Sequence, residues 1–365
     1  MCAATEGVRP SGAPARRALG QPRRGLTLVE LMVGMVVGLL VSLAAASSVR
    51  LFTASQRQSV GVGAVGVNAM TAIAALKNDV SNAGLGFFGQ STFMCPTLNL
   101  GVGANLISDG ASFTPVQGRR VGLNDVLEVV YGTDVSSGAA VNATSPDALS
   151  AAVESFLPAS VNQSLLIAPE GVVAPCTVRS ITAVTPATPV LKQVLALDAG
   201  GTYNQAAFTN VPAYPLNSRV ALLGNLQWNR YAVDNNGNLV LTRVLDGRSA
   251  ILLRNVMGFR VEYGTSSAAS GGSMLDSWRA TTDAGWAAID QTNIGWVRAL
   301  RGGVVVRSAQ REKPNANGVC EASSAKPQLF GKVIEPDVVD WQCYRYRSAV
   351  FLAPLRNIVY GLKAP

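Results

Sequence analysis

The 365-residue chain contains no histidine. That absence removes Ser-His-Asp and Cys-His catalysis, together with the commonest general base near neutral pH. A zinc site has little to work with either, because the five cysteines include no Cys-x-x-Cys spacing. Neither a Walker A motif nor a Gly-x-Gly-x-x-Gly turn between a strand and a helix is present. Charge is scarce too, at 14% of residues. The nearest carboxylate group is Glu335, Asp337 and Asp340, and with Pro336 among them it reads as a solvated loop. No enzymatic role, cofactor or metal is expected, although these absences leave carboxylate-only catalysis open.

Apolar sequence is what the chain has in excess, at 48% of residues. From Leu31 to Ala46 the only polar side chain is Ser42, and Arg23-Arg24-Gly25-Leu26-Thr27-Leu28-Val29-Glu30 stands directly before that run. An acidic residue at the centre of an inserted helix costs roughly 2.5–3.5 kcal/mol, so a carboxylate at the mouth of one needs a reason. A secretory signal cut near Ala44-Ala45-Ala46, or a plain single-span anchor, would show the same basic flank and apolar run. Neither accounts for Glu30. If Leu26 begins a helix, Glu30 sits one turn along, near its partly positive end. There it neutralises a terminal ammonium, its own or a neighbour's, or compensates the dipole of its own helix. Gly34 and Gly38 form a Gly-x-x-x-Gly pair, which permits close helix packing or reflects a glycine-tolerant membrane helix. Arg16, Arg17, Arg23 and Arg24 predict a cytoplasmic N-terminus and an exported body.

The stretch resembles the prepilin-type leader of type IV pilins and type II secretion pseudopilins. The resemblance implies that residues 1–25 are a leader, that a prepilin peptidase cuts after Gly25, and that it methylates the new amine on Leu26. It also implies that Glu30, fifth in the mature chain, pairs with the amine of an adjacent subunit and sets register. Leu26 departs from the commoner phenylalanine, and Ser47 stands where many major pilins carry a proline, so no kink is carried over.

Beyond the leader, residues 26–84 read as one long helix, with a membrane span over about 31–49. Past Arg50 it turns amphipathic, with Met70, Ile73, Leu76 and Val80 as the expected buried stripe and Lys77 the polar exception. Gly61, Gly63 and Gly66 mark an expected bend or break, and Gly84 the end. Residues 85–365 read as a β-rich head. Strand candidates are 126–131, 189–197, 219–223, 226–233, 238–244, 258–263, 296–307 and 344–352. Stretches 133–146 and 264–273 read as surface loops, and Ser145-Pro146-Asp147 as the start of a short helix through Phe156. Asp234-Asn235-Asn236-Gly237-Asn238 is a hairpin turn with a faint likeness to a calcium loop that lacks the later glutamate. Cys2 falls in the leader. Cys95, Cys176, Cys320 and Cys343 then form an even set in an exported domain, with nearest-neighbour pairing Cys95–Cys176 and Cys320–Cys343 favoured among three possibilities.

Body segments sharpen the resemblance. Residues 75–84, 124–132, 253–264, 296–307 and 344–357 are similar to segments of PilW-type minor pilins and J-type pseudopilins. The last, with Pro354-Leu355-Arg356-Asn357, is the most specific, and residues 133–218 match least. The implied fold is α+β and pilin-like, a long N-terminal helix packed on a largely antiparallel head. The implied role is a minor pilin that primes type IV pilus assembly and stays at the tip. Its partners would be the peptidase, other minor pilins, the major pilin and the inner-membrane assembly platform. Its place would be the inner membrane, with a periplasmic head, and later the cell surface. A J-type pseudopilin of type II secretion is the alternative, and a ligand- or DNA-binding module on a pilin stalk a further one. Tyr344-Arg345-Tyr346-Arg347 is a candidate basic–aromatic patch for DNA, but alternate strand residues face opposite ways, so it reads as sheet packing.

Overall fold

Helix α1 (Leu28–Asn82) runs continuously past Gly61, Gly63 and Gly66, so the expected break does not occur. Each glycine weakens a helix by only about 1 kcal/mol relative to alanine, and the turns on either side carry the helix across. The computed structural model describes residues 27–87, 95–133, 141–145, 149–170, 173–210, 213–267 and 274–362. The chain divides into two compact units, residues 1–58 and 59–365. The first unit holds the apolar start of α1. The second holds the rest of α1 and every described strand.

In chain order the strands are β1 (Thr97–Val102), β2 (Asn105–Ser112), β3 (Val116–Val121), β4 (Asn124–Gly132), β5 (Val141–Ser145), β6 (Ser150–Val153) and β7 (Ser164–Ala168). Then come β8 (Cys176–Ser180), β9 (Ala183–Thr185), β10 (Gln193–Ala196), β11 (Tyr214–Gly224), β12 (Leu226–Val233), β13 (Leu239–Arg243) and β14 (Ser249–Leu253). The last are β15 (Val256–Thr265), β16 (Ser277–Ala280), β17 (Val297–Arg307), β18 (Gln328–Leu329), β19 (Lys332–Val333) and β20 (Tyr346–Pro354), followed by a short helix, α2 (Arg356–Leu362). They form a nine-stranded sheet (β2-β1-β8-β7-β11-β5-β6-β10-β9), a five-stranded sheet (β14-β13-β12-β4-β3), a four-stranded sheet (β16-β15-β17-β20) and a β18–β19 ribbon. All pairings among the described residues are antiparallel except β1 with β8. The fold is α+β.

The sheets are joined by side chains at one strand start. β16 covers only residues 262–265 along its side of β15, so the amides of Phe259 and Val261 need other acceptors there. Asn124 Oδ1 takes the first at 2.8 Å and Asp125 Oδ2 the second at 2.8 Å. Asp125 also accepts from Thr281 Oγ1 (2.7 Å) and Arg120 Nε (2.6 Å), which satisfies a fully buried carboxylate. The five- and four-stranded sheets are thus riveted by the first two residues of β4.

Several expectations change. Residues 145–156 form no helix where described. Ser150–Val153 is β6, paired with β10, and the local capping signal yields to cross-strand pairing. Within the expected loop 133–146, Val141–Ser145 is β5, with Ala143 and Ser145 buried. Only Gln193–Ala196 of the 189–197 candidate is strand. On α1 the buried stripe is Ala69, Ala72, Ile73, Leu76 and Val80, continued by Ala83 just past its end, while Met70 is 60% exposed. Alanine lets the helix backbone approach the sheet where methionine would hold it off.

Buried tyrosines give the head an alkaline limit. Tyr214 donates to Pro175 O (2.6 Å), meets Thr177 Oγ1 at 2.6 Å, and burial pushes its hydroxyl from 10 up to about 12. Tyr131 and Tyr231 are raised by burial and by the carboxylate of Asp79. A raised folded-state value means the fold favours the neutral phenol, so this contribution is complete below the unfolded value and is lost as pH rises through the folded one. Thermal melts of the full chain are expected to hold steady up to about pH 10 and fall between about 10 and 12. Tyr214→Phe should blunt the decline, and a flat profile across that window would show that these phenols do not couple to folding.

Candidate functional site: the N-terminal helix and its seat in the head

The start of α1 is closed by a reciprocal cap. Glu30 N donates to Thr27 Oγ1 at 3.2 Å, while Thr27 N and Oγ1 approach Glu30 Oε2 at 3.3 and 3.4 Å. Thr27-Leu28-Val29-Glu30 is a capping box, in which a hydroxyl and a carboxylate satisfy each other's free backbone amides. The intrachain role weighed for Glu30 therefore has a concrete form, and the spacing of Thr27 and Glu30 was its signal. Gly25 and Leu26 lie outside the described residues.

Leu28–Val49 is the one described helix segment long and apolar enough to cross a membrane, and none of it is buried. Gly34 and Gly38 sit on it with open space where a Cβ would stand. Beyond the neighbouring helix backbone, no described residue lies within 4 Å of either position, as a seat for another helix requires.

At the other end α1 is locked to the head by polar contacts that sequence reasoning missed. Asp79, 8% exposed, lies on the buried stripe. Its Oδ1 accepts from Tyr131 Oη (2.8 Å), and its Oδ2 from Asn229 Nδ2 (2.6 Å) and Tyr231 Oη (2.5 Å). All three donors come from β4 and β12. The available signal was position: Asp79 is three residues past Leu76 and next to Val80, on the apolar face. Beyond Asn82 the chain leaves the helix through Gly84, whose φ of 79° suits glycine. Gly84 N donates to Val130 O and Gly132 N to Leu85 O, both at 2.9 Å, so the exit lies along β4. Gly132 also lets the end of β11 come close, since a Cβ there would stand 2.5 Å from Leu223 O. Asn357 Nδ2 reaches the carbonyls of Asn82 (3.1 Å) and Ala83 (3.2 Å) and caps the helix end.

Disulfides join Cys95 to Cys176 and Cys320 to Cys343. The first fastens the approach to β1 onto β8 beside the parallel Leu98–Cys176 register. The second ties the 308–345 excursion to the turn before β20.

The other sequence candidates do not converge. Glu335, Asp337 and Asp340 pair separately with Lys326, Arg307 and Arg311. Asp234 Oδ1 accepts from the amides of Asn236 (2.9 Å) and Asn238 (2.8 Å), and Oδ2 from Asn238 Nδ2 (2.9 Å), so the turn itself uses that carboxylate. In the basic–aromatic patch, Tyr344 stacks on Arg307 at 4.8 Å, Arg345 pairs with Glu312, and Tyr346 Oη donates to Trp341 O.

Residues 21–46 match the family model described as the prokaryotic N-terminal methylation motif. The chain carries a prepilin-type methylation motif. The motif spans the Gly25–Leu26 junction, the Thr27–Glu30 cap and most of the apolar segment. Comparison with curated proteins returns no match. Among solved structures the chain is similar to a type IV-like pilin from Thermus thermophilus, at 10% identity over 80% of this chain and 96% of that one. The TM-score of 0.34 is too low for that likeness to support any conclusion. The motif and the apolar helix are consistent with membrane anchoring and export.

Proposed function

We propose that this chain is a structural, non-catalytic minor pilin of the PilW type, which takes part in priming and assembling a type IV pilus. The observation that carries the reading is the methylation motif, with Glu30 fifth after Gly25 at the mouth of an exposed apolar helix. In this reading prepilin peptidase cuts after Gly25 and methylates Leu26. The segment from Leu28 to Val49 holds the subunit in the inner membrane and then passes into the filament core, alongside other minor pilins and the major pilin. The head supplies partner-specific surfaces. The test is intact mass and N-terminal sequence of membrane-extracted protein, with and without the peptidase. N-methyl-Leu26 is expected only when the peptidase is present, and a cut near Ala46 or no cut would overturn the reading. Pulldown with pilus rather than secretion components separates it from the J-type alternative.

Glu30 has two jobs in this account, the cap within its own helix and a charge for a neighbour's amine. Glutamine can serve in a capping box but carries no charge. Glu30→Gln is therefore expected to leave the membrane-inserted subunit intact while reducing the yield of sheared pili. Unchanged pilus yield would confine Glu30 to the cap.

A further inference from the structure

The end of the four-stranded sheet carries an open cleft of about 360 Å³, set between β15, β16 and the segment 285–296. Its volume lies at the small end of the range for small-molecule sites. Two of the chain's five tryptophans, Trp286 and Trp296, line it. Trp286 is backed by Tyr263, ring centroids 5.9 Å apart, which fixes the indole from behind. Trp296 is 36% exposed, high for an indole with no partner ring described. The segment is held by Asn293, whose side chain donates to Gly285 O and Ala288 O (both 3.0 Å) and accepts from Asp290 N (2.9 Å). The aromatic wall is thus built on a braced loop.

Polar groups lie beside the indoles. Asp276 accepts the amide of Ser267 through Oδ2, and hydrogen bonds from Ser267 hold its carboxyl below the usual range, so it is an ionised acceptor. Arg279 lines the same cleft, is exposed, and has no ion-pair partner among the described residues. A flat apolar surface flanked by a carboxylate and a planar guanidinium suits a molecule with one C–H face and a rim of hydroxyl groups. A fully apolar ligand would leave both charges unused, and the nearby guanidinium disfavours a cation.

We propose that this cleft binds a saccharide, with a pyranose ring against the indoles and its hydroxyl groups bonded by Asp276 and Arg279. The site gives the head a ligand on any exported stalk and does not depend on the pilus assignment.

The test is isothermal titration of the full chain, in a polyoxyethylene detergent without sugar headgroups, against disaccharides of glucose, galactose and N-acetylglucosamine. At least one is expected to bind with Kd below about 10 mM. Trp296→Ala and Arg279→Ala should each weaken that binding by about tenfold or more, whereas Trp341→Ala, outside the cleft, leaves it unchanged. Arg279 is exposed, so its variant remains informative if Trp296→Ala fails to fold. No binding across the panel, binding indifferent to Arg279→Ala, or binding of tetramethylammonium in place of sugars overturns the proposal. N-terminal processing of the same preparations keeps this outcome separate from the pilin reading.

Discussion

Replacing Asp79 with alanine should lower the unfolding free energy of the full chain by roughly 3–5 kcal/mol, because three buried donors lose their shared acceptor. The substitution leaves Tyr131 Oη, Asn229 Nδ2 and Tyr231 Oη without their acceptor in a site closed to water. Each unmet donor carries a desolvation penalty of about 1–3 kcal/mol, partly relieved by rearrangement. Asp79→Asn should be milder. Its one carbonyl oxygen can still accept from Asn229 and Tyr231, and its amide can donate to the hydroxyl of Tyr131. Denaturant titration in detergent ranks the three proteins. If alanine and asparagine cost the same, the network is not acting through hydrogen-bond acceptance. Loss should also appear as separation of α1 from β4 and β12, read by faster amide exchange in residues 69–83 than in the strands.

Removal of the Cys95–Cys176 bridge is the second large effect expected. The cysteines are 81 positions apart, and a loop of that length, once released, adds about 4.5 kcal/mol of chain entropy to the unfolded state. The Cys320–Cys343 bridge, 23 positions apart, corresponds to about 3.4 kcal/mol. Paired alanine substitutions at 95 and 176 should therefore shift the denaturation midpoint further than the pair at 320 and 343. The reverse order would mean that native packing of the 308–345 excursion, rather than loop entropy, dominates. The first bridge also sits beside the one parallel strand pair among the described residues, β1 with β8, where just two residue pairs are in register.

The N-terminal element was legible because its signals are linear: arginines, a small residue, a carboxylate and an unbroken apolar run. β12 was legible too, with the expected 226–233 matching Leu226–Val233, because a strong turn at Asp234–Asn238 fixes where the strand stops. What escaped were strands whose partners supply their reason. In β8 all five residues are buried, Thr177 and Arg179 included, with Thr177 meeting Tyr214 and Arg179 donating to the carbonyls of Tyr203 and Asn204. No local alternation announces such a strand. Large residues announce the α1 stripe in the sequence and point to Met70 over Ala69, although close approach favours the smaller side chain. Asp79 was passed over because a carboxylate reads as surface until its three donors, 52 to 152 positions away, are in place.

The cap that Asn357 places on the end of α1 sets an order of events. The carbonyls of Asn82 and Ala83 receive their donor from a residue 275 and 274 positions later. A chain made from its N-terminus presents that helix end long before its cap emerges. Contacts spanning such distances form slowly. The end of α1 is therefore capped only when the first turn of α2, which carries Asn357, is in place, so the helix end itself records whether the C-terminal strand and helix have folded.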